Sequence, residues 1–427
     1  MHILPCYSII IYNEIMTNET KRIVIVGAGF GGITVLKHLA NKLPSGYSIT
    51  LIDRHHHQLY TPSLYEIASI PKEATDDTML KSSILLPINS MMGGKPIAFI
   101  CDEFSNIDPN AQAIQLREHG SLAYDYVVLA LGSETAYFNI PGLKENGFAL
   151  KTFDDAVRMR NKIEELLVQK DEVHITVGGA GSAGIELVAE FVNFICMMKE
   201  KLVPTSNKCS VFFTLVEAAP DILPGFEPWV VELTKKRLKE LGITMKINTA
   251  IVSVSDMQIT FKDNTTQPND ILIWTGGVKG PTLYHSLGLE VSPKDSLVVD
   301  DFLRAKHPSN RIFAIGDNAS IMNPTTQGPV VWNVPAAEAE AKAAAHNIVR
   351  SIAGKPLRAF TPAKKYPFVL AVGKKYAIAD LIIFRFWGLS GWIAKQLIEL
   401  QYVMSVLPPA QAFGIWWRSF KVSGAND

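Results

Sequence analysis

Short apolar runs that end on glycine or on an acid set the organisation of this chain. Ile23-Val24-Ile25-Val26 leads into Gly27-Ala28-Gly29-Phe30-Gly31-Gly32, and Val173-His174-Ile175-Thr176-Val177 leads through Gly178 into Gly179-Ala180-Gly181-Ser182-Ala183-Gly184. The first run, apolar throughout, and the second, apolar at three of its five positions, both read as buried strands. Each glycine-rich turn opens a helical periodicity, over 33–41 in the first case and through 190–201 in the second. Further strands are predicted at 48–52 before Asp53, 124–131 before Gly132, 211–216 before Glu217, 270–275 before Gly276-Gly277, and 310–315 before Gly316-Asp317. Helices are predicted over 154–169 and, rich in alanine, over 335–350. Strands alternating with helices predict an α/β fold with two Rossmann-like units, the second inserted into the first. The expected division is an extension at 1–20, first unit at 21–150, inserted unit at 151–290, return to the first unit at 291–360, and a tail at 361–427.

A glycine turn between strand and helix lets the backbone approach a pyrophosphate seated on the helix N-terminus. Asp53 lies about twenty residues past the last glycine of the first turn, the spacing of a carboxylate that holds ribose hydroxyls. Glu217 ends the corresponding strand of the second unit after a longer interval, and an acid at that place favours NADH over NADPH. Two such turns in one chain predict two bound dinucleotides, and the simplest use of the pair is electron transfer between them.

Composition narrows the chemistry. Lys plus Arg and Asp plus Glu number 41 each in 427 residues, so no overall field argues for nucleic acid. The four cysteines, Cys6, Cys101, Cys196 and Cys209, form no CxxC, which excludes a dithiol relay and a zinc ribbon. Cys101 and Cys196 are expected in the core. His55-His56-His57 reads as a polar loop, because consecutive side chains point apart and seldom converge on one ion; no metal is expected. No run reaches the roughly 20 apolar residues of a membrane-spanning helix. Residues 1–15 carry an apolar patch at 7–12 without a basic region before it, and Met16 offers a second start.

The tail differs. It holds Lys364, Lys365, Lys374, Lys375, Arg385, Lys395, Arg418 and Lys421 against Asp380, Glu399 and Asp427, with Trp387, Trp392, Trp416 and Trp417. Leu389, Trp392, Ile393, Gln396, Leu397, Leu400, Met404 and Leu407 recur at three- and four-residue spacing, an amphipathic helix with Lys395 and Glu399 elsewhere on the wheel. Basic residues and tryptophan at a helix edge suit the headgroup zone of a bilayer, while packing on the first unit or on a second copy (a homodimer) is the other reading.

These residues resemble the type II NADH:quinone dehydrogenases, a branch of the two-dinucleotide flavoprotein oxidoreductases. The likeness runs from Lys21 through the first turn, Leu51-Ile52-Asp53-Arg54, 60–68, 128–135, 140–143, Gly184-Ile185-Glu186-Leu187, 216–224, 274–278, 315–317 and Pro324-Thr325-Thr326-Gln327. The resemblance implies FAD on Gly27, Gly29, Phe30, Gly31, Gly32, Asp53, Arg54, Ala130, Gly132 and Asp317. It implies NADH on Gly179, Gly181, Ser182, Gly184, Glu217, Gly276 and Gly277. Glu186 would face the nicotinamide and flavin rings and handle protons, and Gln327 would lie beside the flavin and hydrogen-bond the quinone. The family's quinone run continues Ala-Gln-x-Ala-x-Gln, whereas here Gln327 is followed by Gly328-Pro329-Val330-Val331. A quinone is a membrane-dissolved substrate, so enzyme and tail together are read as peripheral attachment to the cytoplasmic face of a membrane. Its sulfide-oxidising cousins need a late cysteine, and none follows Cys209. A soluble acceptor such as ferredoxin or rubredoxin, or an NADH-sensing flavoprotein, are the alternatives.

Overall fold

The computed structural model describes residues 20–72, 76–93, 97–202 and 210–425. The N-terminal extension with its two candidate starts lies outside the described residues, as do Cys6, Cys209 and the side chain of Cys196.

Two five-stranded parallel sheets carry the molecule. The first has the order Ile312–Ala314, Tyr126–Leu129, Lys21–Val26, Tyr47–Asp53, Ile97–Cys101. The second has the order Gly147–Ala149, Ile271–Trp274, Val173–Gly178, Val211–Val216, Thr244–Lys246. In both, the strand that feeds the glycine turn is central, and the chain reverses direction of build beside it. Ligands bind in the crevice outside the carboxyl end of such a switch point.

The unbroken apolar runs are explained by two-sided cover. Ile23 and Ile25 pack with the helices Phe30–Ala40 and Val334–Ile352, while Val24 and Val26 pack with Ile107, Ile114 and Leu122 of a three-stranded antiparallel sheet. The second unit repeats this plan. Ile175, Val177 and Ile273 face the helices Phe153–Gln169 and Ser182–Leu202, and Leu272 and Trp274 face Ile259 and Phe261. Each buried Ile, Leu or Val contributes about 1.5–3 kcal/mol by leaving water, so a polar residue at any of these strand positions opposes folding.

Local signals start the helices. Thr152 accepts from the Asp155 N–H while Asp155 accepts from the Thr152 N–H, a reciprocal cap at the head of Phe153–Gln169. Asn333 caps Val334–Ile352 through the Ala336 N–H at 2.9 Å.

The tail departs from the expected single amphipathic helix. Residues 368–388 form an antiparallel meander, Phe368–Ala371, Ala377–Asp380 and Arg385–Gly388, followed by the helices Leu389–Val406 and Pro409–Ala425. The polarity of Leu389–Val406 is also the reverse of what its pattern suggests. Gln396 and Glu399 are buried, and Leu389, Ile393, Leu397 and Met404 face outward. Lys395, Glu399 and Tyr402 meet Glu66, Ser63 and Gln58 of the first unit, and Gln396 meets Ser423 of the last helix, contacts that decide the orientation. Among the described residues no helix is long and apolar enough to cross a membrane.

Candidate functional site

A cavity of about 970 Å³ opens at the carboxyl ends of the first sheet's central strands. Gly27, Gly29, Phe30, Gly31, Asp53, Arg54, Ala130, Gly132 and Asp317 line it, and Gly32 closes the turn behind them. Glycine is required at two of these places. Gly27 has φ +101° and a Cβ there would sit 2.3 Å from the Ala130 carbonyl oxygen; at Gly32 it would sit 1.8 Å from that of Gly27. At Gly29 a Cβ meets no protein atom, so the backbone borders the cavity directly.

Asp53 ties strand to turn: one carboxylate oxygen accepts from the Ala28 N–H at 2.7 Å and the other from the His55 N–H at 2.9 Å. The second unit repeats the arrangement. Glu217 accepts from the Ala180 N–H at 2.7 Å and from the Ala219 N–H at 2.8 Å. Gly179 has φ +102° against Gly276, and a Cβ at Gly184 would lie 2.0 Å from the Gly179 oxygen. The longer interval before Glu217 is absorbed largely by the 21-residue helix Ser182–Leu202, and parallel pairing of Val211–Val216 with Val173–Gly178 leaves the acid in register with the turn. Gly181 and Ser182 begin that helix on the accessible side, and Gly277 follows Gly276 at the end of the neighbouring strand.

Asp317 stands in a polar chain. The Ser133 hydroxyl donates to Asp317 at 2.8 Å, and the Lys151 ammonium donates to Ser133 at 2.8 Å. Behind Asp317, Glu340 accepts from the Gly316 N–H at 2.6 Å, and burial pushes its carboxyl up to about 8. Gln58, buried at the cavity wall, accepts from the Tyr402 hydroxyl at 2.7 Å, while its Nε2 is buried with no partner among the described residues. The Tyr402 ring lies 4.8 Å from that of Phe30, so the helix Leu389–Val406 braces the first glycine turn. A glycine cradle, a helix N-terminus, a polar chain and an unpartnered amide on one cavity fit FAD.

Two expectations are corrected here. Gln327 is not among the residues lining the cavity: it sits exposed on a turn with φ +53°, whereas Trp332, Asn333 and Val334 further along the chain do line it. Pairing of Met322–Asn323 with Gly328–Pro329 holds that turn away. Cys101 is at the sheet edge and only half-buried, its thiol directed at the Arg54 carbonyl. The histidine run adopts a loop in which the His55 and His57 rings stack at 5.2 Å, and no group of three metal-binding side chains occurs among the described residues. Desolvation at the cavity rim moves the His57 imidazole below its ordinary value.

Glu186 lies in the second turn of its helix, outside the cavity lining, in a cluster that the sequence hid. It accepts from the Ala371 N–H at 3.3 Å, and burial pushes its carboxyl up to about 8. Lys395 and Glu66 are its charged neighbours. The Lys395 ammonium donates to Glu66 at 2.5 Å and lies 5.4 Å from the Tyr65 ring centroid. Glu399, pushed up to about 7 by burial, accepts from the Ser63 hydroxyl at 3.5 Å. Three carboxyl groups share one ammonium away from water, so full ionisation would leave uncompensated buried charge, and burial holds the Glu186 and Glu399 carboxyls above the ordinary range. Lys395 is therefore an interior residue and not a headgroup contact. Its signal in the sequence was a lysine and a glutamate four apart, which reads equally well as a surface pair.

The comparisons with known proteins agree with this geometry. Residues 21–341 match the pyridine nucleotide-disulphide oxidoreductase family. A Schizosaccharomyces pombe protein named a probable mitochondrial NADH-ubiquinone oxidoreductase is 31% identical over 340 residues, 72% of this chain and 60% of that one. The type II NADH:quinone oxidoreductase of Haemophilus influenzae is 29% identical over 369 residues, 80% of this chain and 82% of that one. This chain thus spans less than two thirds of the fungal protein and most of the bacterial one. In fold it is similar to NDH2 from Plasmodium falciparum in complex with NADH, at TM-score 0.80 and 20% identity over 94% of this chain and 98% of that one.

Proposed function

This chain belongs to the pyridine nucleotide-disulphide oxidoreductase family, and we propose that it is an FAD-dependent NADH:quinone oxidoreductase of type II. FAD is assigned to the large cavity and NADH to the second glycine turn. Gly27, Gly29, Asp53 and Asp317 would hold FAD, which when bound would supply hydride acceptance from NADH and two-electron transfer to a quinone; that chemistry is the cofactor's.

The chain's own residues bind, orient and handle protons. Both turns present backbone N–H groups and a helix N-terminus to a pyrophosphate. Asp53 and Glu217 fix the turns and offer carboxylates to the adenosine riboses. Glu186, protonated up to about pH 8, and Glu399 form a proton store for the quinone beside the Lys395–Glu66 pair. A quinone dissolves in lipid, and the outward apolar face of Leu389–Val406, together with Ile383 and Phe384, 83% and 62% exposed in the turn before Arg385–Gly388, suits peripheral contact with the cytoplasmic leaflet.

The observation that carries the reading is the repeated 2.7 Å bond from the turn's alanine N–H to Asp53 and to Glu217. It builds two dinucleotide sites in a chain with no CxxC to act as a dithiol acceptor. The test is anaerobic: one equivalent of NADH bleaches the flavin band of the purified protein, and a short-chain quinone restores it. Bleaching without restoration would remove the quinone from the reading, and absence of a flavin band would remove FAD.

A further inference from the structure

Lys151 lies where the chain passes from the first unit into the second, between the strand Gly147–Ala149 and the capped helix Phe153–Gln169. It lines the flavin cavity together with Ser133, Glu134 and Asp317. We propose that Lys151, more buried than the exposed Arg54 and Lys81 of the same lining, is a fixed cation of the flavin site and raises the reduction potential of the bound FAD; this rests on the assignment of FAD to that cavity.

The hydrogen-bond directions are forced. An ionised Asp317 only accepts, so the single hydroxyl proton of Ser133 goes to it, at 2.8 Å. That leaves a Ser133 lone pair for the Lys151 ammonium, which donates at 2.8 Å. Lys151 has no carboxylate within ion-pair distance among the described residues, and Asp317 and Glu134 act on it only from further away. Burial, the larger effect, holds the ammonium below the ordinary lysine value, and those two acids oppose it. The ammonium is thus held at the cavity wall through a neutral hydroxyl, with its field directed into the site.

Charge in such a place matters more than on the surface, because few water dipoles screen it. Hydride addition brings two electrons and one proton to the flavin, leaving a negative charge on the reduced ring when no second proton follows. A nearby fixed cation favours that form over the neutral oxidised one. Lys151 also aligns Asp317 through Ser133, a positioning role that any residue filling the same space and hydrogen bond could share. Charge and shape are separable by substitution.

The experiment is a spectroelectrochemical titration of the full-length FAD-loaded protein and of its Lys151→Met and Lys151→Arg variants. Loss of the cation is expected to weaken flavin reduction on the order of tenfold, about 30 mV more negative for a two-electron couple. Lys151→Arg keeps the charge and is expected to stay near the parent potential. A Lys151→Met protein with its full complement of FAD and the parent potential overturns the proposal, as does an Arg variant shifted as far as the Met variant. Should Lys151→Met not retain FAD, Lys151→Gln replaces it, and equal potentials for Gln and Arg overturn the proposal. A parent protein that binds no flavin refutes the FAD assignment instead, so the two failures are distinct.

Discussion

The ammonium of Lys395, on the helix Leu389–Val406, donates to the Glu66 carboxylate at 2.5 Å across 329 residues of chain. Both side chains are nearly inaccessible, at 11% and 3% exposure. This contact pins the helix Leu389–Val406 to the first unit, and its apolar stripe is left outside as a consequence. Removing one partner of such a pair leaves an uncompensated buried charge. Lys395→Met is expected to cost about 3–5 kcal/mol at neutral pH. Adding Glu66→Gln should return part of that loss, as read from denaturant midpoints. Equal stability of parent and Lys395→Met would show that the pair contributes nothing.

The two glycine turns give a contrast within one protein. Gly32→Ala places a methyl group 1.8 Å from the Gly27 oxygen, and Gly184→Ala places one 2.0 Å from the Gly179 oxygen. The first variant is expected to purify with little flavin. The second should keep its flavin and raise the KM for NADH at least about tenfold, roughly 1.4 kcal/mol of binding. Flavin loss in both would break the assignment of one nucleotide to each turn.

Glu186 sets a pH dependence on the quinone step. Its carboxyl, pushed up to about 8, is protonated below that value and emptied above it. Stopped-flow reoxidation of the flavin by quinone is expected to slow as pH rises through about 8, while reduction by NADH holds. Glu186→Gln should slow reoxidation about 10²-fold or more at pH 7 and flatten the profile. A parallel loss in both half-reactions would assign Glu186 to binding instead.

Glu340 tests burial without chemistry. A carboxyl whose folded value lies above its unfolded one binds more protons folded than unfolded between the two. Its stabilising proton is therefore lost progressively from about pH 4.5 to about pH 8, and the folded state weakens as pH rises. Glu340→Gln can still accept from the Gly316 N–H and never has to ionise. Its Tm relative to the parent should rise between pH 6 and pH 9; a constant difference would mean that the buried carboxyl does not titrate.

Ile393 and Leu397 are 46% and 58% exposed on the outward face of the C-terminal helix. The double variant Ile393→Glu, Leu397→Glu is expected to sediment less with anionic lipid vesicles while keeping turnover with a water-soluble short-chain quinone. Unchanged sedimentation would place the membrane contact elsewhere.

Much of this protein is legible in its amino-acid order, because the relevant forces act between near neighbours. An apolar run followed by a glycine turn and a helical period determines strand, turn and helix wherever it occurs. The doubled fingerprint at Gly27 and Gly179 therefore announces two similar units and their carboxylates from sequence alone. Contacts distant in sequence were decided by tertiary structure alone. The helical spacing of Leu389, Ile393 and Leu397 reports that one face differs from the other and is silent about which face is inside. Glu66, reached from Lys395 across the fold, supplies the buried charge that turns the polar side inward. Gln327 is the opposite case: its neighbours in sequence resemble a quinone motif, yet the hairpin around it carries it away from the cavity. Lys151, unremarked in sequence, gains its meaning from Ser133 and Asp317, which meet it only once the strands ending at Leu129 and Ala314 lie side by side.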